Sequence, residues 1–176
     1  MKFTETPLRG AFVIEFEVIS DERGYFARTF DVGEFINHGL DPAVIQCSTS
    51  FNERRGTLRG MHYQADPEGE VKLIRCTRGA IFDVALDLRP RSETYCKWFG
   101  VELSAENHRM LYVPEGMAHG FQTLEDGAEV YYQISHHYEP SAARGVRWDD
   151  PAFGIEWPFP DPILSERDRQ FPDFKP

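Results

Sequence analysis

Helical periodicity is nearly absent from this chain, and nothing else about it constrains the fold as much. Short runs rich in β-branched and aromatic residues follow one another at residues 71–76, 80–88, 97–103, 110–113, 120–124 and 130–138. Turn signals separate them, among them Arg78-Gly79, Arg89-Pro90-Arg91-Ser92, Ser104-Ala105-Glu106-Asn107 and Glu125-Asp126-Gly127. Earlier in the chain, residues 12–18 read as a strand, Ser20-Asp21-Glu22-Arg23-Gly24 as a turn, and residues 25–30 as another strand. Many short strands at this spacing build an all-β antiparallel sandwich or barrel. Within it, Phe82-Asp83-Val84-Ala85-Leu86-Asp87-Leu88 is apolar at even positions, so one of its faces is expected to be buried. Residues 32–37 read as one short helix, ended by His38-Gly39. From Asp149 the chain is rich in proline and is expected to pack as an irregular flap, with Ser165-Glu166-Arg167-Asp168 as a short turn or helical start. No repeat or linker interrupts the 176 residues, which are expected to form one domain, 1–176.

Charge narrows the function classes. The net charge of −10 argues against nonspecific nucleic-acid binding, which leans on basic surface. A phosphorylated small molecule needs only a few local cations, and Arg23, Arg28, Arg54, Arg55, Arg59 and Lys72 all lie in the N-terminal half. No apolar run approaches the length of a membrane span, so no membrane association is expected. The first residues have no apolar core of a secretory leader. Cys47, Cys76 and Cys96 are odd in number and lack metal-like spacing, and they read as reduced thiols of a cytoplasmic protein.

The stretch Gly56-Thr57-Leu58-Arg59-Gly60-Met61-His62-Tyr63-Gln64 carries the strongest chemical signal. In a regular strand Arg59 and His62 would face opposite sides. Gly60 permits a bulge that turns both inward, so that a base and a fixed cation share one cavity. Lys72 adds a second cation, and His119 follows the turn Pro114-Glu115-Gly116. An imidazole titrates near neutral pH and can serve as a general base, and a carboxylate behind it fixes its tautomer. Asp83 and Asp168 are both candidates for that carboxylate, and spacing does not choose between them. Tyr131 and Tyr132 point to opposite faces of a strand, so at most one of them is expected to act.

Two of these regions resemble the cupin barrel. Pro114-x-Gly116-x-x-His119 matches its second signature, whereas His62-Tyr63-Gln64 has an amide where a metal cupin has its second histidine. Glutamine is a poor substitute in an imidazole-rich transition-metal site, and no metal is expected, although Glu68 or Glu70 could complete one.

From about Asp21 to Asp168 the chain resembles the dTDP-4-dehydrorhamnose 3,5-epimerase family, enzymes on a cupin-like jelly roll. The resemblance rests on Asp21-x-Arg23-Gly24-x-Phe26, Gly56-x-Leu58-Arg59-Gly60-x-His62-Tyr63-Gln64, Lys72-Leu73, Asp83-Val84-x-x-Asp87-Leu88-Arg89, Leu103-Ser104-x-x-Asn107, Pro114-Glu115-Gly116-x-Ala118-His119-Gly120-Phe121, Tyr132 through Tyr138, Asp150-Pro151 and Ile155-x-Trp157-Pro158. By these motifs His62 resembles the catalytic base, Asp168 its carboxylate partner, Tyr132 the acid on the opposite face, and Lys72 the cation near the enolate oxygen. Arg59, Arg23, Phe26, Gln46, His119 and Tyr138 resemble contacts to the nucleotide-diphosphate sugar. The resemblance also implies a homodimer in which an N-terminal strand crosses to the partner and could bring Arg23 or Phe26 into its site. The chain departs from the family where a glutamate is replaced by Arg28, in Gln46-Cys47-Ser48-Thr49-Ser50-Phe51-Asn52, and in Ser165-Glu166-Arg167-Asp168, where lysine is usual. All three fall in regions expected to hold the nucleotide, its phosphates or the sugar.

The implied reaction inverts C3 and C5 of a nucleotide-linked 4-keto-6-deoxyhexose through an enolate. It requires no redox cofactor and no metal. A relative restricted to one carbon, or a 3,4-ketoisomerase, on a CDP-, GDP- or dTDP-sugar, would share these residues. A metal-dependent cupin enzyme is disfavoured by Gln64. A non-catalytic sugar-nucleotide-binding module would not need both His62 and Tyr132.

Overall fold

The computed structural model describes residues 1–175. In chain order its strands are β1 (Lys2–Glu5), β2 (Phe12–Glu15), β3 (Val18–Asp21), β4 (Gly24–Ala27), β5 (Gln46–Asn52), β6 (Leu58–Gln64), β7 (Lys72–Arg78), β8 (Ala80–Asp87), β9 (Trp98–Ser104), β10 (Arg109–Val113), β11 (Met117–Thr123), β12 (Ala128–Ile134) and β13 (Ala143–Gly145). Two short helices accompany them, α1 (Val32–Asn37) after β4 and α2 (Glu166–Arg169) near the C-terminal end. One sheet runs β1-β2-β10-β7-β12-β5 and the other β13-β6-β11-β8-β9, while β3 and β4 form a separate hairpin. All pairings within these sheets are antiparallel. From β5 to β12 the chain passes from one sheet to the other at each step except the β8–β9 hairpin, which gives the cupin-like jelly roll expected from the sequence. Among the described residues no helix is long and apolar enough to cross a membrane.

Period-2 alternation sorts side chains into three layers. Ile74, Cys76, Leu111 and Val130 of the six-stranded sheet meet Ile81, Ala85, Leu103 and Phe121 of the other in the central layer. On the outer face of the six-stranded sheet, Ile14, Leu73, Met110 and Tyr112 pack under Phe35 of α1. On the outer face of the five-stranded sheet, Met61, Val84, Leu86 and Ala118 lie under Val146, Phe153, Ile155, Trp157 and Phe174 of the C-terminal flap.

That flap corrects one expectation. β8 is buried on both faces, because Val84 and Leu86 face the flap while Ile81, Asp83 and Ala85 face inward. The expected strand over 12–18 is two strands, broken where Phe16 buries its ring over Arg75 and beside His108. The turn expected at 20–24 narrows to Glu22 and Arg23, and the next strand ends at Ala27 rather than at residue 30. β12 stops at Ile134, not at 138, because Ser135 leaves the ladder to bond both polar backbone groups of Val71 (Ser135 N to Val71 O 3.0 Å, Val71 N to Ser135 Oγ 2.8 Å). α1 covers 32–37 as expected, capped by Asp31, whose side chain accepts the Glu34 amide.

Candidate active site

The inward faces of both sheets turn polar around a cavity of about 390 Å³. Ser48 and Ser50 of β5, Arg59 and His62 of β6, Lys72 of β7, His119 of β11, and Tyr132 and Ile134 of β12 line it, with Ser165, Arg167 and Asp168 arriving from the flap. The sharing of one cavity by Arg59 and His62 has a local cause. On β11 the partners of His62 and Arg59 are His119 and Phe121, so three steps on β6 oppose two on β11. The extra residue changes the parity of the strand and brings both side chains to the same side. Gly60 adopts φ 148° there, and a Cβ on it would lie 2.6 Å from Gly120 Cα. Two glycines therefore face each other across β6 and β11, where a side chain on either would clash.

Each histidine has its own carboxylate. His62 Nε2 lies 2.7 Å from Asp168 Oδ1, and His119 Nε2 lies 2.7 Å from Asp83 Oδ1. Both pairs leave the other ring nitrogen free of the carboxylate, with its tautomer set by that contact. Asp168 is held by the cap of α2, where Ser165 Oγ accepts the Asp168 amide at 3.1 Å, and Asp168 Oδ2 receives the Gly60 amide at 3.4 Å. Burial raises the Asp168 carboxyl, but the hydrogen bond and charge of His62, with the Gly60 and Ser165 contacts, outweigh it and leave it below the ordinary aspartate range. The His62 side chain is 37% exposed while that of Asp168 is 5% exposed, so the imidazole meets the cavity and the carboxylate stands behind it.

Tyr132 faces His62 from the other sheet, its ring 6.0 Å from that of His119 and perpendicular to it. Burial pushes its phenol far above the ordinary range; the Asp83 carboxylate adds to this and the Arg59 guanidinium opposes it. The phenol is thus a proton carrier at neutral pH. Tyr131 points to the outer face, beside Cys47 and Arg75. Arg59 is anchored by its Nε to Asn52 Oδ1 at 2.8 Å, which leaves guanidinium donors for an anion. Lys72 is buried, and its Nζ donates to the His62 carbonyl at 3.4 Å and pairs with Glu70 Oε1 at 2.6 Å.

Of the residues expected from the sequence, His62, Asp168, Tyr132, Lys72, Arg59 and His119 share the cavity. Gln46 begins β5 opposite Ile134 and does not line it. Tyr138 is exposed beyond the end of β12, and Arg23 and Phe26 stand exposed on the β3–β4 hairpin, with Arg23 folded back onto Asp21. Gln64 is spent on the backbone: its amide donates to the carbonyls of Glu68 and His137, and its carbonyl accepts the Glu139 amide. Among the described residues no three His, Cys, Asp or Glu side chains are grouped to hold a metal ion. Ser48, Ser50, Ser165 and Arg167 also line the cavity; they lie in two of the segments where the chain departs from the family, which the resemblance assigns as a region to nucleotide, phosphate or sugar without singling out these side chains.

The chain matches the family model for dTDP-4-dehydrorhamnose 3,5-epimerase over residues 5–176. It is 48% identical over 174 residues to the dTDP-4-dehydrorhamnose 3,5-epimerase of Methanothermobacter thermautotrophicus, covering 97% of this chain and 92% of that one. The crystal structure of the enzyme of that name from Elizabethkingia anophelis superposes with a TM-score of 0.95 at 40% identity, covering 99% of this chain and 96% of that one. The Bacillus anthracis structure, with TDP and PPi bound, gives a TM-score of 0.95 at 39% identity and covers 98% and 99%.

Proposed function

The chain belongs to the dTDP-4-dehydrorhamnose 3,5-epimerase family, and from that premise we propose how its own residues invert the sugar. It is an isomerase that epimerises a dTDP-linked 4-keto-6-deoxyhexose at C3 and C5. The observation that carries the residue assignment is the opposition of His62, backed by Asp168, and Tyr132 across one cavity.

Both C3 and C5 are adjacent to the C4 carbonyl, so loss of either proton gives an enolate. Such a proton is far less acidic than an imidazolium, and every unit of mismatch costs about 1.4 kcal/mol. His62 therefore removes it only if the oxygen that becomes negative is stabilised at once. The Lys72 ammonium, in a site shielded from water, supplies that stabilisation. Asp168 stabilises the imidazolium that forms. Tyr132 then gives its phenolic proton to the opposite face of the same carbon, which inverts it. Solvent restores the phenol and takes the proton from His62, so no electrons are exchanged with a cofactor. Arg59 and Arg167, with the hydroxyls of Ser48, Ser50 and Ser165, receive the pyrophosphate and sugar oxygens.

The active unit in this reading is a homodimer. The β3–β4 hairpin exposes Ile19 (72%) and Phe26 (67%), more apolar surface than a two-stranded element keeps in water. Against a second copy it is covered, and it then carries Arg23 and Phe26 towards that copy's cavity.

The test is incubation in deuterated water with the dTDP-linked 4-keto-6-deoxy sugar. Wild-type protein incorporates deuterium at both C3 and C5, and His62→Asn loses exchange at both while still binding dTDP. Exchange at only one carbon in the wild type would replace this reading with a single-position epimerase.

A further inference from the structure

Among the cations that line the cavity, Lys72 alone is buried, whereas Arg59 and Arg167 are exposed. A buried ammonium without a partner is costly, and a four-carbon stem has many rotamers to choose from. Glu70 answers both problems. Its Oε1 lies 2.6 Å from Lys72 Nζ, and its side chain is 9% exposed, close to the 10% of Lys72. Glu70 does not line the cavity, so it touches the ammonium from behind. The strand neighbours of Lys72, Val113 on β10 and Ile134 on β12, carry no charge. The other ionisable groups around the cavity are Arg59, His62, His119, Tyr132, Arg167 and Asp168, and Asp168 is engaged by His62 and Gly60. Asp83, behind His119, is paired with it through Oδ1. Glu70 is thus the carboxylate paired with Lys72.

An ammonium has three N–H donors. Glu70 takes one and the His62 carbonyl, at 3.4 Å, takes a second. One remains for the cavity. We infer that Glu70 is a positioning residue that holds the Lys72 ammonium so that its remaining N–H meets the oxygen on which enolate charge develops. The inference rests on the epimerase reading and deepens it. The hydrogen bond to the His62 carbonyl ties Lys72 to the backbone of the base itself, so the electrophile and the base keep a fixed separation.

A double-mutant cycle tests it. Glu70→Gln keeps the shape and one oxygen but removes the charge. Its kcat is expected to fall about tenfold to a hundredfold, as for residues that support a reacting group, with KM for the dTDP-sugar within about twofold. In a Lys72→Ala background the same Glu70→Gln change is expected to alter kcat by less than about twofold, because Glu70 acts through Lys72. Should Glu70→Gln not fold, Glu70→Asp, which withdraws the carboxylate by one methylene, is read against the same criteria. A wild-type kcat in the Glu70 variant, or an equal loss with and without Lys72, overturns the inference. A readout free of turnover separates its failure from that of the epimerase reading. In ligand-free protein labelled with 15N-lysine, the Lys72 ammonium protons exchange slowly, and they exchange fast in Glu70→Gln. Slow exchange in both overturns the positioning role whatever reaction the protein catalyses.

Discussion

In the proposed mechanism Tyr132 and His62 divide the chemistry between the two sheets, and substitution of Tyr132 tests that division. On that proposal the phenol plays no part in removing the substrate proton; burial keeps it protonated, and it returns a proton from the other side. Tyr132→Phe is therefore expected to keep washing deuterium into the substrate through His62, with retained configuration. Epimer formation is expected to fall about a hundredfold or more, measured by NMR of the same reaction mixture. Epimerisation at the wild-type rate would assign the donor to another group. Loss of exchange together with inversion would make Tyr132 a support of the enolate instead. At this scale the sequence was partly legible. His62, Lys72, Arg59 and Tyr132 announce themselves by residue type and by neighbouring glycines and strands. Spacing does not choose between Asp83 and Asp168 as the carboxylate behind His62, since the two histidines each take one and Asp168 lies 106 residues away; the family resemblance points to Asp168, and the structure pairs the two.

Strands β6 and β11 set the geometry in which those side chains work, through glycines that oppose each other. A Cβ on Gly120 would lie 2.6 Å from Met61 Sδ, 3.0 Å from the Arg59 carbonyl and 3.0 Å from Gly60 Cα. Gly120→Ala is expected to cost about 1–3 kcal/mol, the range for overpacking a tight interior. Thermal unfolding should register it as a lowered Tm, and kcat should drop with it, since relief of the clash moves the bulge that carries Arg59 and His62. An unchanged Tm would mean that the strands separate without strain. The bulge itself was legible from Gly60, but β5 was not. Its inward positions, Ser48, Ser50 and Asn52, serve a polar cavity and the Arg59 anchor rather than a core, while Cys47 and Phe51 lie on the exposed face, so its apolar positions do not mark a buried side. β1 and β13 escaped for a related reason: both are short, and Lys2–Glu5 is largely exposed. The double burial of β8 was hidden because the flap that covers its even-numbered side chains comes from the far end of the chain.

Among the described residues the β3–β4 hairpin stands uncovered beside the two-sheet sandwich. If a second copy covers it, sedimentation at micromolar concentration gives about twice the 20.3 kDa chain mass. Ile19→Asp, on the exposed hairpin face, is expected to shift the protein to monomer and to weaken dTDP binding while leaving the far-UV spectrum unchanged. A wild-type monomer would return Arg23 and Phe26 to the status of ordinary surface residues. The C-terminal flap has a different consequence, one of timing. A ribosome delivers β5 to β12, and with them His62, Lys72 and Tyr132, well before it delivers Asp168. Until the flap emerges, Met61, Val84, Leu86 and Ala118 lack their cover and His62 lacks Asp168. Cover for that sheet face and the His62–Asp168 pair thus form in the same late event, and a chain cut short before Asp168 is expected to be both prone to aggregation and, on the proposed mechanism, inactive.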